Sequence, residues 1–134
     1  MTERLATTDD PTIENGDILF RGLQADWIVP GDDGRMRIAS AAFKNEELSV
    51  LIRSVLMDAG RNENDAFDAC PGVSLCSFTV GLARSLSQIV VRDGEPPSDP
   101  AHGLVVGKKN KTVANRLARE AVWVIPAEPP LISG

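Results

Sequence analysis

Short apolar runs, each cut by glycine, proline or charge, recur along the chain from residue 17 to residue 125. The longest uncharged stretches, such as Val73–Val80, fall far below the roughly 20 apolar residues of a membrane-spanning helix. Runs of this length suit strands and short helices around one core. A chain of 134 residues has room for one such core and not for two of ordinary size. With 43% hydrophobic and 25% charged residues, disordered, fibrous and coiled-coil readings are excluded.

Strands are predicted at Asp17–Gly22, Arg35–Ala39, Val73–Phe78, Gln88–Arg92, His102–Val106 and Ala121–Ile125. Trp27–Pro30 reads as a strand end or a single helical turn, followed by a turn at Gly31–Gly34. A helix is predicted over Asn45–Ala59, capped by Asn45 and stopped by Gly60. Leu48, Leu51, Ile52, Val55, Leu56 and Ala59 would form its buried stripe, although the β-branched content also permits a strand between Leu48 and Val55. Asn64–Ala69 suits a short helix or turn, Val80–Leu86 a helix capped by Thr79, and Asn110–Glu120 a helix. The expected class is α+β: a mixed sheet of about five short strands, with about three helices mainly on one side. Strand, helix and strand over 102–125 could form a right-handed crossover that places two parallel strands in the sheet. Residues 1–15 should be a flexible arm, 16–126 the domain, and 127–134 an extended tail.

The formal net charge is −5. Residues 1–100 carry nine basic and 17 acidic residues, whereas residues 101–134 carry five and two. An acidic body repels phosphate backbones at long range, which makes nucleic acid an unlikely partner. The five late basic residues are Lys108, Lys109, Lys111, Arg116 and Arg119. They make a local basic patch that could hold a phosphate, a carboxylate or an acidic partner, or simply solvate a helix face. Specific nucleic-acid binding by this patch is the weakest of the functional expectations.

Cys70 and Cys76 lack Cys-x-x-Cys spacing, and there is one histidine. No disulfide, metal or cofactor is therefore expected. The N-terminal ten residues have no apolar core region, so no secretory signal is expected. A reducing, cytoplasmic setting without membrane association follows as the default.

Three residues are candidates for catalysis. His102 opens a strand, and an imidazole is a side chain suited to general acid or base work. Arg21 sits inside the apolar run Ile18–Gly22, where it must be paired, exposed or part of a site. Ser40 lies in Ala39–Lys44, a small-residue stretch that allows close ligand approach or close packing. The run Gly103–Lys109 falls short of a phosphate loop: three residues separate its glycines instead of four, and Lys109 stands where the magnesium-binding hydroxyl belongs.

The segments Phe20-Arg-Gly22, Ser40-Ala-Ala-Phe-Lys44, Leu48-Ser-Val50 and Pro100–Lys109 together resemble a family of small uncharacterised bacterial proteins. That resemblance implies a bacterial, non-secreted protein. Arg21 with Ser40-Ala41-Ala42 is similar, more faintly, to the arginine and Ser-Thr-Ser-like segments of ADP-ribosyltransferase-type folds. The middle threonine and the Glu-x-Glu or Gln-x-Glu acid of that fold are missing here, so the likeness implies a degenerate binding module as readily as an enzyme. The leading expectation is a small binding protein that acts through a protein partner, in a toxin, defence or regulatory operon. The alternative is an enzyme, or degenerate enzyme, taking a nucleotide or phosphorylated ligand at a cleft shared by Arg21, Ser40 and His102.

Overall fold

Alternating side chains set the two faces of the central sheet. In strand β1 (Ile18–Leu23), Leu19 and Leu23 enter one core while Phe20 enters another. The same alternation recurs in β4 (Glu47–Ile52), where Leu48, Val50 and Ile52 face the first core and Leu51 the second. The computed structural model describes residues 8–70, 72–94 and 99–126. Strands β5 (Ser74–Thr79), β6 (Ile89–Arg92), β7 (His102–Val106) and β8 (Val122–Ile125) join β1 and β4. They form a six-stranded sheet in the order β6-β7-β4-β1-β5-β8. Strands β2 (Ile28–Pro30) and β3 (Met36–Ile38) make a separate two-stranded hairpin closed by the turn at Gly31–Gly34. The protein is a single α+β domain. Among the described residues, no helix is long and apolar enough to cross a membrane.

Every neighbouring pair in the sheet is antiparallel, where a mixed sheet of about five strands was expected. Strands β7 and β8 do run in the same direction, but β4, β1 and β5 lie between them. The connecting helix, α4 (Lys111–Glu120), therefore crosses most of the sheet. Helices cover both faces rather than mainly one. Helix α3 (Val80–Ser85) and α4 pack on the first core with the 3-10 turn Ser40–Phe43. Two short helices, α1 (Arg53–Asp58) and α2 (Glu63–Ala69), close the second.

The helix predicted over Asn45–Ala59 is instead β4 followed by α1. Leu48, Val50, Leu51 and Ile52 are all buried because β4 is a central strand covered on both faces. Glu47 and Ser49 are exposed, but Val50-Leu51-Ile52 is apolar in both registers, so with Leu48 and Val55 the pattern matches a helical stripe as well as a strand. Pairing with β1 and β7 decides the outcome, and the helix begins only at Arg53. Of the two expected caps, Asn45 precedes a strand instead and Thr79 does cap its helix, while Asn110, expected as a helix residue, caps α4. The Thr79 hydroxyl accepts from Leu82 N at 3.0 Å, and Asn110 Oδ1 from Val113 N at 2.9 Å. The N-cap of α2 is Asn62, which exchanges hydrogen bonds with Asp65 in a capping box.

The arm expected to be loose through residue 15 is held from Asp9 onward. Asp10 N donates to Val90 O at 2.9 Å, and Val90 N to Asp9 Oδ1 at 2.8 Å. Arg84 binds Asp9, Asn15 and the Asp10 carbonyl together, and Ile13 is buried. Residues 1–7 of the expected arm and the expected tail at 127–134 lie outside the described residues.

Candidate functional site

The ladder between β1 and β4 has two rungs, Leu19 opposite Ile52 and Phe20 opposite Leu51. Beyond them the strands part. β1 continues beside β5 to Leu23, and β4 continues beside β7 back to Glu47. The fork between them opens into a cleft of about 540 Å³, a volume in the range of small-molecule sites.

Arg21 lies in the fork. Its Nε donates to the Ala42 carbonyl at 3.1 Å and its Nη1 to the Ser49 carbonyl at 3.1 Å. The guanidinium carbon sits 5.1 Å from the centre of the Trp27 ring, a cation–π geometry. Among the described residues no carboxylate pairs with this guanidinium, and its Nη2 has no hydrogen-bond partner. Desolvation lowers the Arg21 pKa from its ordinary value, opposed weakly by the thiols of Cys76 and Cys70. Carbonyl dipoles and an aromatic face offset part of the cost of partly desolvating the cation, but no counter-charge among the described residues completes it.

The walls come from segments far apart in the chain. β1 and the turn after it supply Arg21, Gln24 and Trp27. β4 and its approach supply Asn45 and Ser49, the end of α2 supplies Cys70, and the entry to β7 supplies Asp99 and His102. His102 is half-buried opposite Leu51. Its Nδ1 lies 3.3 Å from both the Asp93 carbonyl and Asp93 Oδ2. Two acceptors at Nδ1 favour the tautomer with the proton there, which leaves the Nε2 lone pair free to accept. Asp99 receives both Arg61 guanidinium nitrogens, at 2.8 and 2.7 Å, and Ala101 N at 2.9 Å. Those bonds hold its carboxyl below the usual range, against its own desolvation. The Asp99 charge is thus committed to Arg61 and does not neutralise Arg21.

The two thiols are poor nucleophiles. Burial pushes Cys70 up, although a bond from Gly22 and the charge of Arg21 pull the other way. Cys76 is fully buried and raised to about 12, chiefly by desolvation.

Arg21 and His102 share this cleft, but Ser40 does not. Ser40 starts the 3-10 turn and lines a different groove, against α4, and the turn reaches Arg21 only through the Ala42 carbonyl. The basic residues also separate. Lys109 Nζ donates to the carbonyls of Val105 at 2.9 Å and of Glu46 and Gly107 at 3.1 Å. Burial lowers its pKa to about 8, and its three contacts make it a tie between β4, β7 and the following loop. Lys108 and Lys111 are exposed. Arg116 Nε lies 3.6 Å from Glu120 Oε2, too long for a hydrogen bond, and Arg119 lines the groove shared with Ser40. The five do not converge on one anion site.

Trp27, Asn45, Asp99 and Cys70 escaped sequence reasoning because they belong to no motif; only the scarcity of tryptophan, two in the chain, sets Trp27 apart. Among the described residues, no group of histidine, cysteine, aspartate and glutamate is placed to hold a metal ion. No family model, curated protein or solved structure matches the chain.

Proposed function

We propose that the protein binds a small anionic ligand, a carboxylate or phosphate, in the cleft at the β1–β4 fork. The observation that carries this reading is Arg21: a half-buried guanidinium with no carboxylate partner among the described residues, fixed by two backbone carbonyls and the Trp27 ring, with Nη2 unengaged. An anion at Nη2 would supply the missing counter-charge through charge-assisted hydrogen bonds. The amides of Gln24 and Asn45 and the imidazole of His102 border the same space and can hydrogen-bond the rest of the ligand. The site reads as a binding site rather than a nucleophilic one, since both thiols are raised and Ser40 lies elsewhere.

The test is thermal unfolding with inorganic phosphate, succinate, AMP and ADP, each against wild type and Arg21→Met. A ligand at 100 times its dissociation constant stabilises by about 2.7 kcal/mol, which is about 10 °C for a chain of this size. At least one anion should raise the wild-type midpoint and leave Arg21→Met unmoved. Equal shifts in both proteins, or none in either, would remove the proposal. Far-ultraviolet circular dichroism of Arg21→Met checks that the fold persists.

A further inference from the structure

The two edges of the sheet are finished differently. The outer edge of β6 is closed by the N-terminal segment, through Asp10 N to Val90 O and Val90 N to the Asp9 carboxylate, with Arg84 clasping the arm in place. Strand β8 is the opposite edge and pairs only with β5. Its outer side has no backbone partner among the described residues. Nor does it carry the usual guards against strand addition. Val122-Trp-Val-Ile125 contains no charge and no proline, and Val122 is 60% exposed.

Beside this edge runs a groove of about 440 Å³ between β3 and α4. Met36, Ala118 and Trp123 give it an apolar floor, and Met36 is 46% exposed. The charged residues lining it are Arg37 and Arg119. Neither has an ion pair or side-chain hydrogen bond among the described residues. On a chain of net charge −5, this is a local positive strip beside an open strand, and it shares no lining residue with the Arg21 cleft.

We infer that the open edge of β8 and the Arg37–Arg119 groove together accept an extended acidic segment of a partner protein, added to the sheet as a further strand. Main-chain hydrogen bonds to β8 would supply sequence-independent affinity. Carboxylates at alternate positions of the added strand would meet the two arginines, and apolar residues would cover Val122 and Trp123. A second copy of the chain fits less well. Two β8 strands paired about a two-fold axis would bring no acidic residue, since Val122–Ile125 has none, and each copy's arginine strip would face its counterpart.

The test is fluorescence anisotropy of the full chain with a short fluorescein-labelled peptide that alternates valine and glutamate. Saturable binding is expected, weakened about tenfold by Arg37→Ala combined with Arg119→Ala. It should also be lost when lysine replaces glutamate in the peptide, and when alternate peptide amides are N-methylated to block strand pairing. Arg21→Met should leave it unchanged, which separates this site from the anion cleft. Absence of binding, binding indifferent to N-methylation, or binding indifferent to the double substitution would each overturn the inference. So would sedimentation showing a dimer that the peptide cannot dissociate.

Discussion

Breaking the Arg61–Asp99 clamp should both destabilise the domain and weaken the cleft. The pair joins the end of α1 to the entry of β7 across 38 residues of sequence, with two parallel bonds at 2.8 and 2.7 Å. Its side chains are 28% and 23% exposed. Fully exposed ion pairs contribute about 0.2–1 kcal/mol, whereas removing one partner of a fully buried pair costs about 3–5 kcal/mol. Bidentate geometry at one-quarter exposure places the coupling between these limits, at about 1.5 kcal/mol, or roughly 6 °C in midpoint. The assay is a double-mutant cycle of Arg61→Ala and Asp99→Asn by urea unfolding, repeated across pH. The Asp99 carboxyl is held below its ordinary value by Arg61. Its stabilisation is therefore complete above the unfolded value, about 3.9, and lost as pH falls through the lower folded value. The gap between wild type and Asp99→Asn should be full at pH 6 and close in strong acid. The Asp99 backbone carbonyl also accepts from His102 N at 2.9 Å, so freeing this segment from its clamp by Arg61→Ala, which leaves the Asp99 carboxylate unpaired at the cleft, should loosen anion binding as well. A coupling below about 0.3 kcal/mol, the scatter of independent sites, or a gap that persists in strong acid, would refute the reasoning.

Arg84→Ala should free the N-terminal segment, cost about 2 kcal/mol through its several charged hydrogen bonds, and speed amide exchange at Val90 first. Gly107→Ala should cost more than about 2 kcal/mol in urea unfolding: φ there is +150°, and a Cβ would lie 2.7 Å from Gln88 Oε1 on a side chain that is 4% exposed. With a disulfide reagent in the native state at neutral pH, Cys76 should stay unmodified until global unfolding and Cys70 should react slowly, because burial raises both thiols. Rapid labelling of Cys76 would contradict the packing of the first core.

The parts of this molecule legible in the sequence are those that local chemistry decides. Thr79 caps its helix with its own side chain, and Gly31–Gly34 closes a hairpin within a few residues. Strand β4 resembles a helix in sequence because its alternation ends at the consecutive buried residues Val50-Leu51-Ile52, which with Leu48 and Val55 also fit a helical stripe, and only pairing with β1 and β7 on either side decides what it is. Arg21 attracts notice in the sequence because an arginine inside an apolar run needs a partner. That its partners are the carbonyls of Ala42 and Ser49 depends on where β1 and β4 separate, and no spacing encodes that. The proximity of Arg21 to His102 comes from a strand order that puts only β4 between β1 and β7. Lys109 appears in sequence as one cation of a basic patch, yet three carbonyls from residues 46, 105 and 107 turn it inward.

The most direct measurement follows the Arg21 Nε–H resonance during a phosphate titration. That proton is held by Ala42 O at 3.1 Å, which should slow its exchange with water enough for detection by nitrogen–proton correlation spectroscopy. The account predicts a saturable shift of the Arg21 signal, while the exposed Arg35 and Arg37 drift only weakly and linearly. An Arg21 signal that stays fixed while the surface arginines respond would contradict the claim that the β1–β4 fork is an anion site.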